Sequence, residues 1–292
     1  MISIIIPFHN EAENIPILLK EMKEVMEKNS IAYEVVLVDD GSAQSIEPDI
    51  HMSAATYVHH HKRLGKGEAL KTGLKNAQGD MIIFMDGDLQ DDPNDIPVLL
   101  QKLKEGYDLV NGIRTKRKDT GIIKLYSAFA NKLLRAAFKS PFTDINCGFK
   151  IFRREVLDEM PLYGNNFRFL PLSAYYRGYK VSETPVHNRK RIHGISKFGA
   201  TKLFVGLLDM TTAYFVFKFA ERPLHFFGTI GSSMLALGMV INTYLAAERI
   251  FFHVLLYRRP VLWLGILLMI IGVQILMTGL IGELIVYLHK KK

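Results

Sequence analysis

Two acidic pairs carry most of the chemistry open to this chain. The first is Asp86-Gly87-Asp88, followed by Leu89 and Gln90. Two carboxylates one residue apart, where the chain leaves a strand, can both turn toward one bound ion. Carboxylate and amide oxygens are hard ligands that suit Mg2+ or Mn2+, whose remaining positions are filled by substrate phosphates. An ion held there would neutralise the charge that builds on a departing diphosphate. Gln90 either adds an amide oxygen or orients a ligand from behind. The second pair is Asp39-Asp40, followed by Gly41-Ser42. It stands on a separate strand, so its carboxylates suit hydrogen bonds to base or ribose donors better than a share in the same ion. Either string alone is also a common surface turn.

The elements in front of these strings argue against plain turns. Ile2–Pro7, Tyr33–Val38 and Met81–Met85 are apolar, largely β-branched runs of buried-strand length, and Tyr107–Gly112 reads as a further short strand. Helical spacing runs over Asn14–Glu27, Gly67–Ala77 and Asp95–Lys104 between them. Alternating strands and helices predict an α/β fold with a mostly parallel sheet. Ligands of such sheets bind at the carboxyl ends of the strands. Both acidic pairs fall there, so both are expected to face one crevice.

The chain has 292 residues, 49% of them hydrophobic, and the apolar ones are unevenly spread. Up to about residue 200 charges occur throughout. Beyond it, Leu224–Ala247 and Val261–Leu288 are nearly continuous apolar stretches. A helix needs roughly 20 mostly apolar residues to cross a bilayer core of about 30 Å, and both stretches suffice. Glu283, inside the second, is expected near the headgroups or paired with a polar group of the neighbouring helix. Outward-facing Gln274 and Glu283 would favour association into a homo-oligomer. The segment 201–223 is apolar but carries Asp209, Lys218, Glu221 and Arg222, and is expected to lie along the interface as amphipathic helices. The organisation expected is therefore a catalytic domain at 1–200, juxtamembrane helices at 201–223, and a two-helix membrane hairpin with a basic tail at 224–292. Met1–Pro7 lacks a basic leader and breaks at a proline, so it is not expected to be an export signal. The catalytic domain is then expected in the cytosol, on a multi-pass protein of the inner (plasma) membrane. Lys290-Lys291-Lys292 fits that orientation, whereas Arg249, Arg258 and Arg259 weigh against it.

The net charge of +8 does not point to nucleic acid in such a chain. Its basic clusters, Arg114–Lys118 and Arg189–Arg191, are better matched to anionic headgroups and phosphorylated ligands. One cysteine, Cys147, excludes an intramolecular disulfide. Three consecutive histidines, His59–His61, cannot all converge on one ion from a strand and are expected in a solvated loop or strand end.

Four strings together resemble glycosyltransferase family 2: IIIPFHNEAENI (4–15), VLVDDGS (36–42), LGKGEALKTGL (64–74) and GDMIIFMDGDLQDDP (79–93). The last, with the two apolar C-terminal stretches, most resembles the polyprenyl-phosphate group, which includes dolichyl-phosphate mannose synthases and undecaprenyl-phosphate glucosyltransferases. The resemblance implies a GT-A fold, a nucleotide-sugar donor, inversion at the transferred sugar and a polyprenyl-phosphate acceptor. It implies that Asp86, Asp88 and Gln90 hold Mg2+ or Mn2+, and that Pro7, Asn10, Glu11, Asp39, Asp40, Lys66, Gly67 and Asp86 bind the donor. Asp144 would be the acidic residue facing the reacting sugar. Arg114, Arg117, Arg189, Arg191, Ser196 and Lys197 would receive the acceptor phosphate. Glucose is the expected sugar, with mannose second. Arg63-Leu64 and the segment Asn146–Lys150 depart from strings common among relatives, which bears on sugar identity.

A phosphate acceptor also accounts for the lack of an obvious general base. A phosphate monoester has a second pKa of about 6 and is mostly dianionic at neutral pH. It needs positioning and charge screening, which arginine supplies. A sugar hydroxyl would need deprotonation, so transfer to a hydroxyl is the weaker reading. A non-catalytic nucleotide-sugar scaffold is disfavoured by the intact Asp86, Asp88 and Gln90. A processive synthase is disfavoured because the one tryptophan, Trp263, lies inside an apolar stretch.

Overall fold

The computed structural model describes residues 1–43, 55–115, 142–158, 166–189, 222–253 and 259–290, with positions 160, 162, 212, 215, 219 and 255 besides. The chain divides into two compact units, Met1–Met210 and Thr211–Lys292. The expected juxtamembrane segment 201–223 lies almost wholly outside the described residues.

In the first unit the described strands are β1 (Ile2–Phe8), β2 (Tyr33–Asp39), β3 (Ala55–His59), β4 (Met81–Phe84), β5 (Leu109–Thr115), β6 (Lys150–Arg153) and β7 (Val181–His187). Helices α1 (Asn14–Lys28), α2 (Lys66–Asn76) and α3 (Ile96–Lys104) fall where helical spacing predicted them, within one or two residues, and α4 (Arg154–Asp158) and α5 (Leu170–Tyr176) follow. The strands form one sheet in the order β3-β2-β1-β4-β6-β5-β7. Strands β1, β2, β3 and β4 pair in parallel, as expected, and so do β5 and β7.

Strand β6 departs from the expectation. It runs antiparallel between β4 and β5, with Lys150 opposite both Phe84 and Asn111. Its beginning, not its end, therefore lies at the carboxyl edge of β4. The segment 143–149 that feeds it arrives at the same crevice edge as the acidic strand ends.

Alternate side chains of β1 serve two cores. Ile4 and Ile6 pack with Leu18, Met22, Leu99 and Leu103 of α1 and α3 on one face. Ile5 packs with Val36, Val38, Leu70 and Phe84 on the other. A helix can cross the sheet this closely only where its side chain is absent: a Cβ on Gly73 of α2 would meet Ile5 Cγ2 at 2.2 Å. Burying both faces makes these strands read as unbroken apolar runs rather than alternating ones.

The second unit is a helical hairpin of α6 (Pro223–Phe252) and α7 (Pro260–Lys290), both long and apolar enough to cross a membrane. At 1.5 Å per residue, the 30 and 31 residues span more than the roughly 30 Å hydrocarbon core. Glycines let the backbones touch: a Cβ on Gly231 would meet Gly272 O at 2.7 Å, and one on Gly238 would meet Gly265 O at 2.6 Å. Small residues at the crossing are how helices gain contact in lipid, where burial of apolar area offers little. Glu283, the carboxyl inside the second apolar stretch, accepts a hydrogen bond from Leu224 N at 3.2 Å. It finds its partner on the neighbouring helix, at the unsatisfied N-terminal amides of α6.

Candidate active site

Strand β4 delivers Asp86 to the crevice. Met85 stays buried and donates its N–H to Ile5 O at 3.2 Å, after which the chain turns out of the sheet. Asp86 N donates to Asp91 Oδ2 at 3.1 Å, and Gln90 N to Asp88 Oδ1 at 3.2 Å, so the acidic loop folds on itself. Leu89 in the middle holds φ at +62° while its side chain is buried in the first core. A bulky residue in the left-handed region is strained, and the buried anchor keeps it there. Burial, aided by Asp86 and Asp88, pushes the Asp91 carboxyl up to about 7.

The Asp86 carboxylate meets the ammonium of Lys66. Desolvation works against its charge, but Lys66, then Arg114 and Lys150, hold its pKa below the ordinary carboxylate value. Gly148 lies on the other side of Asp86, where a Cβ would stand 3.0 Å from Asp86 Oδ2.

The donor set fits a small divalent cation. Among the described residues no three His, Cys, Asp or Glu side chains group closely enough to cage an ion alone. Two carboxylates beside an open cleft are instead what Mg2+ or Mn2+ takes when a substrate diphosphate completes its shell. Lys66 already places positive charge against one of them, and Gly148 keeps the space beside it clear of side chain.

The cleft next to this loop is lined by Pro7, Phe8, His9, Glu11, Asp40, Arg63, Lys66, Asp86, Gly87 and Asp88. Of the residues expected at the donor, Pro7, Glu11, Asp40, Lys66 and Asp86 line it. Asp40 accepts the N–H groups of Leu64 and Gly65, both at 2.8 Å, and His60 Nδ1 at 3.0 Å. Gly65 holds φ at +96°, which frees its N–H for Asp40 and starts α2 at Lys66. Burial opposes the charge on Asp40, and these bonds overcome it and lower its pKa.

Asp39 and Asn10 do other work. Asp39 is fully buried and accepts Ser42 N (2.9 Å), Ser42 Oγ (2.5 Å), Tyr57 OH (3.0 Å) and His59 Nδ1 (3.2 Å), so it holds its own turn behind the wall. Asn10 Oδ1 accepts Ala43 N at 3.0 Å and its own N–H donates to Ser42 Oγ at 2.8 Å, which ties the loop after β1 to the loop after β2. Gly67 is buried in the first turn of α2. The expected solvated strand end holds for His59, exposed at the end of β3, and for exposed His61. His60 is the departure: its side chain is 9% exposed and bridges Asp40 to Thr72 of α2 (Nε2–Oγ1, 3.0 Å).

The second wall comes from 143–150. Arg114 forks Asp144, with Nε to Oδ2 at 2.8 Å and a terminal nitrogen to Oδ1 at 2.9 Å. Burial disfavours the Arg114 cation, but Asp144 more than restores it and raises its pKa. The residue expected at the acceptor phosphate and the one expected at the sugar are thus bonded to each other. Arg189 is engaged elsewhere. Its guanidinium binds Asp92 (2.7 Å) and Glu21 (2.6 Å), and its N–H donates to Gln90 O at 2.8 Å. Arg117, Arg191, Ser196 and Lys197 lie outside the described residues.

Sequence reasoning missed Lys150, Glu183 and Asn111, which hold this wall from behind, and His9 and Arg63, which line the cleft. His9 falls within a string already singled out, and Arg63 just before another. Lys150 and Glu183 sit on strands too short or irregular to signal themselves, and Asn111 on an expected strand whose run gives its side chain no special mark.

Comparison with known proteins places this geometry in context. The Glycosyl transferase family 2 model matches residues 3–160. The chain is 31% identical over 294 residues to the dodecaprenyl-phosphate galacturonate synthase of Rhizobium johnstonii, covering 97% of this chain and 87% of that protein. It is 31% identical to the undecaprenyl-phosphate 4-deoxy-4-formamido-L-arabinose transferase of Enterobacter sp., covering 97% and 88%. Among solved structures, the Mycobacterium tuberculosis glucosyl-3-phosphoglycerate synthase in complex with Mn2+ and UDP-glucose shares the fold, with a TM-score of 0.56 and 20% identity over 74% of this chain and 78% of that one.

Proposed function

The chain belongs to glycosyl transferase family 2 and is a glycosyltransferase, and on that premise we propose that it moves a sugar from a nucleotide-sugar to a polyprenyl phosphate at a membrane surface. The observation that carries this reading is the reach of the likeness. Similarity to two polyprenyl-phosphate sugar transferases runs through 97% of the chain, so it takes in the apolar hairpin as well as the cleft.

The relatives' names also bear on the sugar. Neither concerns glucose or mannose: one sugar carries a carboxylate, the other is a pentose with a formamido group. We therefore rank donors of these kinds ahead of the glucose and mannose expected first.

In the proposed mechanism Asp40, Glu11 and Lys66 bind the donor, with Asn10 and Asp39 shaping the loops that carry it. Asp86, Asp88 and Gln90 would hold Mg2+ or Mn2+, which supplies charge neutralisation for the departing diphosphate. Lys66 adds a second positive charge on the same side of the cleft. Attack comes from an acceptor oxygen that already bears charge, so no residue has to remove a proton. Asp144, fixed by Arg114, orients the reacting groups rather than acting as a base. Arg114, Arg117, Arg191, Ser196 and Lys197 remain assigned to the acceptor phosphate. Arg189 is reassigned as a strut between Glu21 and the loop at 90–92. The hairpin of α6 and α7 anchors the enzyme in the inner membrane with its catalytic unit in the cytosol. Gln274, exposed midway along α7, supports association between copies.

The test is direct. Purified full-length protein is incubated with UDP-galacturonate, UDP-4-deoxy-4-formamido-arabinose, UDP-glucose or GDP-mannose, either metal, and undecaprenyl phosphate. Sugar-phospholipid formed by wild type and lost in Asp88→Ala supports the reading. No product with any donor sinks it.

A further inference from the structure

Lys150 is the one lysine or arginine among the described residues that is fully buried, at 1% exposure. Its ammonium is spent on main-chain carbonyls, donating to Ile145 O at 3.2 Å and to Cys147 O. Burial pulls its pKa down to about 8, although Cys147 and Asp144 work in the other direction. Burying an ammonium is costly, and neutral carbonyls repay less of that cost than a carboxylate would. What the arrangement achieves is geometric: it closes the turn at 145–147 against the head of β6.

The same segment is held from its other side. Glu183 of β7 accepts Thr143 N at 2.7 Å and Asp144 N at 3.2 Å. Asn111 of β5 donates to Asp144 O at 2.9 Å and to Glu183 Oε1 at 3.0 Å. Between these anchors the segment presents two groups to the cleft. Asp144 meets Arg114, and Gly148 lies against Asp86.

We propose that Lys150, with Glu183 as its counterpart, is a positioning residue for sugar transfer. Together they fix 143–148 so that the Asp144–Arg114 pair and the Asp86 carboxylate keep a set separation. The inference rests on the function proposed above and deepens it, because neither residue reaches the cleft itself. A shift of about 1 Å in such a segment costs on the order of 100-fold in rate when the reacting groups are aligned to it.

Full-length Lys150→Met and Glu183→Gln are assayed with the donor that wild type uses. Three quantities are read: kcat, the donor KM, and Mn2+ binding in the presence of UDP by electron paramagnetic resonance. The geometry predicts a kcat loss of about 10- to 100-fold, donor KM within about threefold of wild type, and a changed Mn2+ spectrum as Asp86 shifts. A folded Lys150→Met with kcat within about twofold of wild type overturns the role. So does a kcat loss that merely tracks a lost thermal transition. If Lys150→Met does not fold, Glu183→Gln decides by the same outcomes, since it keeps the side chain's shape while turning an N–H toward an N–H. Absence of product from wild type overturns the function and this inference with it. Wild-type product with unaffected variants removes the inference alone.

Discussion

The ammonium of Lys66 rests on the carboxylate of Asp86, so a residue expected at the donor and one expected at the metal meet across the cleft. A metal held by Asp86 would therefore compete with Lys66 for one oxygen until a diphosphate offered Lys66 another partner. Hydrogen bonds to charged groups contribute about 1.5–3 kcal/mol. Lys66→Met is expected to raise the donor KM about 10- to 100-fold. The same variant should bind Mn2+ more tightly than wild type in the absence of nucleotide, read by calorimetry. Weaker Mn2+ binding in the variant would show that the two do not compete.

Gly148→Ala tests the space beside Asp86. The added methyl would stand 3.0 Å from Asp86 Oδ2, closer than ordinary contact, so the carboxylate has to move. The metal concentration giving half-maximal activity should rise several-fold, about 1 kcal/mol in binding terms, with little change in thermal midpoint. An unchanged metal titration would mean Asp86 relaxes without consequence.

Arg189→Ala separates two roles for one residue. As a strut to Glu21 and Asp92 it supports the loop at 90–92. Its loss should lower thermal stability by about 1–2 kcal/mol, as expected for partly exposed charge pairs. The acceptor KM should stay within about twofold of wild type. A tenfold rise in the acceptor KM, with stability intact, would return Arg189 to the phosphate site.

Acid sensitivity should concentrate at the turn after β2. Asp39 and Asp40 both have lowered pKa values, held by hydrogen bonds against the cost of burial. A carboxyl lowered in the folded state contributes stability that is fully present above its unfolded value of about 4 and is lost as pH falls through the folded value. Asp40→Asn should therefore be less stable than wild type at pH 7, by about 1–3 kcal/mol for the N–H groups it serves poorly. The gap should begin to narrow below about pH 4 and go on narrowing as pH falls through the lower folded value. Thermal unfolding by circular dichroism from pH 7 down into the acid limb checks the narrowing, and a gap that stays constant or widens as pH falls contradicts it.

In the hairpin, Glu283→Ala removes the acceptor at Leu224 N. A lost N-terminal cap costs about 0.5–2 kcal/mol. Glu283→Gln, which keeps an acceptor oxygen, should recover most of it. Denaturation in mixed detergent micelles distinguishes the two, and equal losses would make the charge itself the essential feature.

Much of the cleft was legible because its strands are buried on both faces. Ile2–Phe8, Tyr33–Asp39 and Met81–Phe84 read as largely apolar runs, and the acids at the end of the second and just past the third, Asp39 and Asp86, mark the sheet edge. Strand β6 was not legible. Four residues carry no period, and its direction is set by the neighbours it pairs with. Strand β7 contains Pro185, which argues against a central strand; it is an edge strand, where a missing N–H is tolerated. Lys150 and Glu183 went unnoticed for that reason, as did the turn of Asp144 onto Arg114. His60 was read with its two neighbours as solvated, although a strand end sends successive side chains to opposite sides. Asp39 had the right address but was turned inward by Ser42, Tyr57 and His59.

The reversed strand β6 has one more effect. Lys150 is clasped between Phe84 and Asn111, so it cannot slide along either neighbour by one place without turning its side chain to the opposite face. The chain between Asp144 and Lys150 therefore has a counted length. Adding or deleting a single residue there would displace the buried Cys147 or Phe149 and swing Asp144 away from Arg114. In this wall of the cleft, the number of residues matters as much as their identity.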